Sequence, residues 1–262
     1  DVAVIAEKIG SINYISKDLK LRRENRIKTV HGSIAIEQNS LSLEQVTNII
    51  NGKIVVGSKK EILEAKNAFL AYESMENFDP YSVEDLLKAH ELMTKGILSD
   101  AGEFRSNNVG VVNEKGEVLH VGTLPRYIEE NVYKLFSWLR ESDFHPLIKA
   151  AVFHYELEQI HPFSDGNGRI GRLWNTLILA NWKSVFSYLP IESIVHDNQK
   201  EYYQAINISN SKNECTAFIE YMLGIIKKAI DENGVINGTI NGVIKLLDLI
   251  DSNPYITQKE MA

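Results

Sequence analysis

Apolar residues recur at intervals of three and four along most of the chain, which is the spacing of amphipathic α-helices. Strand-like alternation is confined to one short region. The pattern predicts a mainly α protein, a helical bundle with one β-hairpin. Helices are predicted over residues 2–15, 42–50, 59–72, 83–98, 125–139, 147–160, 169–182, 200–208 and 216–230.

The strand-like region consists of two β-rich runs, 109–113 and 117–122, separated by Glu114-Lys115-Gly116. A short glycine-containing loop between two such runs indicates a hairpin. On a helical protein an isolated hairpin exposes an edge, to which an extended segment of another chain can add by main-chain hydrogen bonds. A surface loop without a functional role is the simpler interpretation.

Residues 161–172 read HPFSDGNGRIGR and interrupt the helical pattern. His161 falls at the end of a predicted buried helix. Pro162 and the pairs Asp165-Gly166 and Asn167-Gly168 then break the helix and indicate turns. Helical spacing resumes at Arg169, with Arg172 three positions on and on the same side. The segment is therefore predicted to be a loop that opens a second helix.

This loop has the chemistry of a phosphate site. A glycine loop before a helix presents backbone N–H groups and the positive end of the helix dipole to an anion. Arg169 and Arg172 can each hold phosphate oxygens through forked, charge-assisted hydrogen bonds. Asp165 can bind Mg²⁺ together with phosphates, and His161 is suited to take a proton near neutral pH. Taken singly, each of these residues is more often structural.

Three competing interpretations of these residues are weaker. The GxGxxG pattern at 166–171 matches a dinucleotide fingerprint, but that motif follows a strand, and here the preceding segment is helical. Residues 52–59 have phosphate-loop spacing with Ser58 and Lys59 in reversed order, so they are interpreted as a polar connection. No HExxH motif or cysteine cluster supports a metal centre on His161 and Asp165.

The segment resembles the signature of the Fic family, His-x-Phe-x-(Asp/Glu)-Gly-Asn-Gly-Arg-x-x-Arg, at every defined position. The resemblance implies a Fic-type helical bundle and an enzyme that moves AMP from ATP onto a Ser, Thr or Tyr hydroxyl of a target protein. It implies that His161 is the base, that Asp165 binds Mg²⁺, and that Phe163 is a core anchor. It also places Arg169 on the β phosphate and Arg172 on the γ phosphate. The implied nucleotide-binding loop comprises Asp165, Gly166, Asn167, Gly168, Arg169, Ile170, Gly171 and Arg172.

A second resemblance lies upstream, in residues 33–38. Alone, Ser33 to Glu37 would be an amphipathic turn with a solvated glutamate. Beside the signature, it resembles the family's inhibitory (Ser/Thr)-x-x-x-Glu-(Gly/Asn) segment, with Gln38 departing from the usual last residue. The resemblance implies that Glu37 pairs with Arg172 and restrains the enzyme.

The resemblance also assigns nucleotide and target contacts outside the signature. It matches 109–124 to the flap over the active site, where a target segment would be presented, and residues 102–105 to the sequence before the flap. At the flap's exit, Val121, Gly122, Thr123 and Leu124 would touch the nucleotide. Tyr202, Tyr203 and Asn210 would lie near the adenine and ribose; without the resemblance, these aromatic residues would be interpreted as packing.

Composition limits the class of protein. The 262 residues are 44% hydrophobic and 24% charged, enough for one sizeable core and a small appendage. A net charge of −7 argues against a general nucleic-acid surface, and no apolar run is long enough to span a bilayer. The single cysteine, Cys215, excludes an internal disulfide and favours a cytoplasmic location.

The chain is expected to have three parts. An N-terminal helical region (1–95) carries the inhibitory segment, and a catalytic core (96–230) carries the flap and the signature loop. An Asn-Gly-rich linker and the start of a truncated winged helix-turn-helix follow (231–262). The absence of a methionine at Asp1 and this ending suggest a trimmed chain, whose missing region is a possible DNA contact.

Two functional classes stay open at this point. One is an AMP-transferring enzyme restrained by Glu37. The other is a nucleotide-sensing or DNA-associated regulator that modifies nothing, although the intact His161 favours an enzyme. Some relatives transfer other phosphate-containing groups or remove AMP, and the signature does not exclude these. Self-modification and a homodimer are also possible.

Overall fold

The chain folds into a mainly helical bundle with two short strands. The computed structural model describes residues 2–9, 18–112 and 118–233, without the side chains of 111–112 and 118–121. The elements are α1 (Val2–Lys8), α2 (Leu19–Ile36), α3 (Leu43–Ile50), α4 (Lys59–Glu73), α5 (Val83–Thr94), β1 (Gly110–Val112), β2 (Val118–Val121), α6 (Ile128–Glu141), α7 (Pro146–Ile160), α8 (Asn167–Trp182), α9 (Ile191–Asp197), α10 (Gln199–Lys212) and α11 (216–233).

Local sequence explains where several helices begin. Ser42, Ser58 and Ser82 precede α3, α4 and α5, and each side chain accepts a hydrogen bond from a backbone N–H of the first turn. Such caps satisfy donors that a helix end leaves unpaired. Residues 51–58 connect α3 to α4, so the predicted polar connection at 52–59 is shorter by Lys59, which begins α4.

The centre of the molecule is the pair formed by α7 and α8, with α6 against α7 and α5 against α8. Phe153 of α7 and Trp174 of α8 are fully buried there, and Phe136 of α6 meets both rings edge-on. Because the loop that joins α7 to α8 carries residues 161–166, this packing holds both ends of the loop.

The longest described helix that the pattern missed is α2. Its buried side includes Asn25, Arg26, Thr29 and Ser33, and these polar residues hide the apolar period. It packs on α9, which was also missed. A Cβ on Gly32 would lie 2.6 Å from the backbone carbonyl of Glu192, so only glycine allows this approach.

Other boundaries differ from the predictions by a few residues. Helix α5 ends at Thr94 rather than at 98, and α8 begins at Asn167 rather than at 169. A short 3₁₀ turn, Pro125–Tyr127, precedes α6. The mainly α prediction is confirmed, and apart from the two missed helices, α2 and α9, the errors lie at helix ends.

Strands β1 and β2 pair antiparallel, with Gly110 opposite Val121 and Val111 opposite His120. Residues 113–117, which include the predicted hairpin turn, lie outside the described part. So do residues 10–15 of the first predicted helix and residues 234–262, which hold most of the predicted linker and the whole predicted winged helix. Within the described ranges, no helix combines the length and apolar character needed to cross a membrane.

Candidate active site

His161 stands immediately after α7 in a left-handed conformation, with φ 51° and ψ 60°. Its backbone N–H still donates to the Leu157 carbonyl at 2.9 Å, while Pro162 stops the helix. The turn leaves the imidazole 19% exposed on a cleft. The main chain therefore fixes the position of this side chain.

Arg105 ties three segments together around His161. This buried guanidinium donates to the carbonyls of His161 (2.7 Å), Asn107 (2.5 Å) and Thr123 (2.6 Å). A Cβ on Gly122 would lie 2.7 Å from Arg105 Nη2, so the chain that follows β2 passes close to the Arg105 guanidinium. Burial lowers the pKa of Arg105. Sequence reasoning noted this arginine only as part of the segment before the flap.

Contacts of the buried residues Asn167 and Phe163 fix the conformation of the loop after His161. Asn167 Nδ2 donates to the Phe163 carbonyl and Asn167 Oδ1 accepts from the Phe163 N–H, both at 2.9 Å. The ring of Phe163 is fully buried and stacks on His90, with centroids 3.8 Å apart. Gly166 has φ 88°, which favours glycine. The first turn of α8 is thereby aimed into the cleft, as an anion site requires.

Arg169 and Asp165 lie at the rim of this turn. Arg169 Nη2 donates to Asp165 Oδ1 at 3.1 Å, and Arg169 Nη1 lies 3.8 Å from Glu64 Oε1 of α4. The carboxylate of Asp165 is 47% exposed, whereas Arg169 is buried. Asn39 donates to Glu64 Oε2 at 2.8 Å, which connects Arg169 to the chain just after α2.

Arg172 is buried beneath the loop and is paired with the end of α2. Its Nη2 donates to Glu37 Oε1 at 2.7 Å and to the Ser33 carbonyl at 2.9 Å, and its Nε lies 3.4 Å from Ser33 Oγ. Burial alone would lower the pKa of Arg172, but the charge of Glu37 raises it above its ordinary value. The structure thus joins Ser33 and Glu37 to Arg172, which lies more than a hundred positions further along the chain.

The end of α2 explains the unusual Gln38. The Gln38 N–H donates to the Ala35 carbonyl and the Asn39 N–H to the Ile34 carbonyl, which is the Schellman arrangement of a helix C-terminus. Gln38 takes the left-handed position of this motif, with φ 64°. Glycine and asparagine suit that position best, which gives a physical reason for the Gly/Asn of the family pattern.

The remaining residues that the sequence assigned to the nucleotide are spread more widely. Tyr202 and Tyr203 both line the cleft; Tyr203 is 45% exposed, whereas Tyr202 is buried with its hydroxyl 3.2 Å from His154 Nε2. Burial and then Arg172 lower the pKa of His154 to about 3, so this imidazole is neutral. Asn210 Oδ1 accepts from the Tyr155 hydroxyl at 2.7 Å and is not among the residues that line the cleft.

Four further assigned positions have structural surroundings. Ile170 is fully buried, and a Cβ on Gly171 would lie 2.8 Å from the His154 ring. The Thr123 N–H donates to the Ile160 carbonyl at 3.2 Å, and Leu124 is 45% exposed. The side chain of Val121 is outside the described part of the chain.

Sequence reasoning missed Glu158, one helical turn before His161. Its carboxylate lines the cleft beside His161, Glu37 and Arg172. The available signal was the spacing of three residues, which places two side chains on the same side of a helix. The family signature begins at His161, and it therefore gave no reason to consider a residue upstream.

These residues surround a cleft of about 230 Å³ whose lining includes Glu37, Glu158, His161, Asp165, Arg172 and Tyr203. A larger groove of about 680 Å³ follows α10 past Tyr203, but Lys200 is the only charged residue among its lining. A phosphate ligand needs several converging donors, which favours the smaller cleft. In the described part, no group of three or more His, Cys, Asp or Glu side chains is placed to hold a metal ion alone.

The fold and the site define a helical protein with an anion cradle at a helix N-terminus and a histidine at its mouth. Residues 80–179 match the model of the Fic/DOC family. A crystal structure of a Fic family protein from Desulfovibrio desulfuricans G20 is similar, with 44% identity and a TM-score of 0.86, over 90% of this chain and 73% of that one. The chain belongs to the Fic family, which confirms the resemblance seen in the sequence.

Two similar curated proteins carry the name protein adenylyltransferase. "Protein adenylyltransferase fic-1" of Caenorhabditis elegans is 28% identical over 217 residues, 78% of this chain and 40% of that protein. "Protein adenylyltransferase Fic" of Aedes aegypti is 28% identical over 236 residues, 85% of this chain and 45% of that protein. The chain therefore spans less than half the length of these two relatives.

Proposed function

We propose that this protein is a protein adenylyltransferase that transfers AMP from ATP to a Ser, Thr or Tyr hydroxyl of a target protein. The hydroxyl oxygen bonds to the α phosphorus, the bond from that phosphorus to the bridging oxygen breaks, and pyrophosphate leaves. The observation that carries the proposal is the meeting of His161, the N-terminus of α8 and Arg172 in one cleft. The names of the curated relatives agree with this activity.

Each group has a part in that displacement. His161 takes the proton of the attacking hydroxyl, and the N–H groups at Gly166, Asn167 and Gly168 hold phosphate oxygens in the field of the α8 dipole. Arg169 and Arg172 neutralise the β and γ phosphates and the charge that develops on pyrophosphate. Positioning and charge neutralisation together supply the catalysis.

Asp165 is the residue of this chain that fits Mg²⁺. It contributes one half-exposed carboxylate at the mouth of the cleft, and Mg²⁺ is usually bound by one or two carboxylates together with substrate phosphates. When bound, the ion would neutralise phosphate charge. Because Arg169 shares Asp165 Oδ1, this arginine would also orient the carboxylate.

We further propose that Glu37 restrains the enzyme. The guanidinium that should hold the γ phosphate is paired with Glu37 and Ser33. An arginine so engaged is not available to a nucleotide in the productive geometry. Release of the end of α2 would return Arg172 to the substrate.

The two strands supply the place for the target segment. Strand β2 leads through Gly122 to Thr123, whose N–H donates to the Ile160 carbonyl and whose carbonyl accepts from Arg105, beside His161. A target strand added at this hairpin would bring a side-chain hydroxyl toward the imidazole. Self-modification would use the same geometry with a segment of the same protein.

The test is incubation of the Glu37→Gly protein with ATP labelled at the α or at the γ phosphate. Adenylyl transfer puts the α label, and not the γ label, on protein; phosphorylation gives the reverse. His161→Ala in the same protein should lower the transfer rate by at least about 10²-fold while ATP binding, followed by calorimetry, persists. ATP binding without any protein label would favour a nucleotide-sensing regulator and reject the proposal.

A further inference from the structure

Glu158 and His161 face the same cleft from successive turns. Glu158 Oε2 lies 3.8 Å from His161 Nδ1, and the Glu158 backbone carbonyl lies 3.4 Å from the same nitrogen. Both acceptors are on the Nδ1 side of the ring. A proton on Nδ1 is therefore favoured, which leaves the lone pair on Nε2.

Two glycines in the first turns of α8 lie beside this carboxylate. A Cβ on Gly168 would lie 3.4 Å from Glu158 Oε1, and a Cβ on Gly171 would lie 3.3 Å from the same atom. The side chain of Glu158 is only 16% exposed, and its Oε1 is buried with no hydrogen-bond partner among the described residues. Burial of an unpaired carboxylate oxygen lowers the free energy of unfolding, so a contribution to stability does not account for the presence of Glu158.

We infer that Glu158 is a positioning residue for His161, an inference that rests on the adenylyltransferase function proposed above. Its carboxylate holds the imidazole with Nε2 toward the reacting hydroxyl. It also stabilises the imidazolium that forms when His161 takes the hydroxyl proton. His161 is the base, and the backbone carbonyl and the carboxylate of Glu158 orient its ring.

The titratable groups that face Glu158 come from several parts of the chain. They are Glu37 just after α2, Arg172 of α8, the Tyr202 and Tyr203 hydroxyls of α10, and His161 just after α7. Burial and then the charge of Glu37 raise the pKa of Glu158 to about 7, against the opposing effect of Arg172. Since Glu37 contributes to this value, pH dependence is best measured in the Glu37→Gly protein.

The experiment compares AMP transfer by the Glu37→Gly protein with and without Glu158→Gln, between about pH 5.5 and 9. Loss of one charge-assisted contact should lower kcat about tenfold, with the KM for ATP changed by less than about twofold. The acidic limb of the kcat profile should move to lower pH, because a neighbouring carboxylate favours the protonated imidazole. Glu158→Asp, which keeps the charge, should leave that limb in place.

Glu156→Gln is the matched control, because Glu156 is a second half-buried carboxylate on α7 whose pKa burial also raises, away from His161. It should change neither kcat nor the limb. The inference would be overturned if Glu158→Gln left the acidic limb of the kcat profile unchanged, or if it altered only the KM for ATP. If Glu37→Gly itself transfers nothing, the proposed function fails, and an NMR titration of the His161 ring with and without Glu158→Gln still decides the positioning role.

Discussion

Glu37 Oε1 and Arg172 Nη2 lie 2.7 Å apart, in contact across 135 positions of sequence. The pair joins the residue that follows α2 to the second turn of α8, and the Ser33 carbonyl accepts from the same guanidinium nitrogen. A single arginine therefore connects the N-terminal helices to the first turns of α8.

Replacement of Glu37 by glycine should raise AMP transfer by roughly ten to a hundredfold, the equivalent of about 1.5–3 kcal/mol for hydrogen bonds to a charged group. Glu37→Gln, which keeps the shape but loses the charge, should give a smaller rise. The measurement is the initial rate of transfer from α-labelled ATP. Equal rates for the three proteins would mean that the contact does not limit activity.

Replacement of Gln38 by glycine should stabilise the fold by about 1 kcal/mol, because Gln38 occupies a left-handed position that costs an ordinary residue about that much. The free energy of unfolding in urea measures the effect. Gln38→Val should destabilise the protein, since a β-branched residue is strained further there. A glycine variant no more stable than the parent would show that the loop relaxes around glutamine.

Replacement of Gly32 by alanine should push α2 away from α9, because the new Cβ would meet the backbone of Glu192 and Ser193 at 2.6 Å. We expect a loss of about 1–3 kcal/mol of stability together with increased AMP transfer, since Ser33 and Glu37 would shift off Arg172. Gly224→Ala is the matched control, because a Cβ added there would meet no described atom within 4 Å. Reduced stability without increased AMP transfer would show that the packing of α2 on α9 does not maintain the restraint by Glu37.

Glu158→Gln should raise stability in alkaline buffer and not in acid. The pKa of Glu158 rises from 4.5 to about 7 on folding, through burial and then Glu37. Between these values the folded protein holds a proton that the unfolded chain has released, so the free energy of unfolding falls as pH rises. At about 1.4 kcal/mol per unit, the variant should gain roughly 3 kcal/mol at pH 8 and almost nothing near pH 4.5.

Glu61 offers a control of opposite sign. Hydrogen bonds from Ser40 and then Ser58 lower the pKa of Glu61 to about 2. Its contribution is present above its unfolded pKa and is lost as pH falls toward 2. Glu61→Gln should therefore reduce the melting temperature at neutral pH. Identical pH profiles for the two variants would contradict both assignments.

The sequence predicted the parts of the site that carry strong local signals. Pro162 and Gly166 mark the break between two helices, so α7 and α8 could be placed on either side, although Asn167-Gly168 belongs to the first turn of α8. The Fic signature then identified the family. Most of the helices could be predicted in the same way, since their apolar residues recur at helical intervals.

What could not be predicted depends on burial that periodicity does not reveal. Helix α2 buries Asn25 against Tyr188, Arg26 against Glu73 of α4 and Ser33 against Arg172 of α8, and buried polar residues erase the apolar stripe. Helix α9 has only seven residues, too few for a periodic pattern. Arg105 and Glu158 matter because of the residues they contact in space. The contacts of Arg105 with His161 and Thr123 do not follow from sequence spacing. Only the three-residue step from Glu158 to His161 could have been recognised in the sequence.

The Arg105 guanidinium has a consequence for how chemistry and recognition are related. It binds the carbonyl of His161 and the carbonyl of Thr123 at the same time, so His161 and the residues that follow β2 share one anchor. In the proposed reaction, a target strand that shifted the residues after β2 would also shift the backbone of His161. Under that proposal, target docking and proton transfer are mechanically linked, and a poorly seated target would misplace the imidazole before any ATP was consumed.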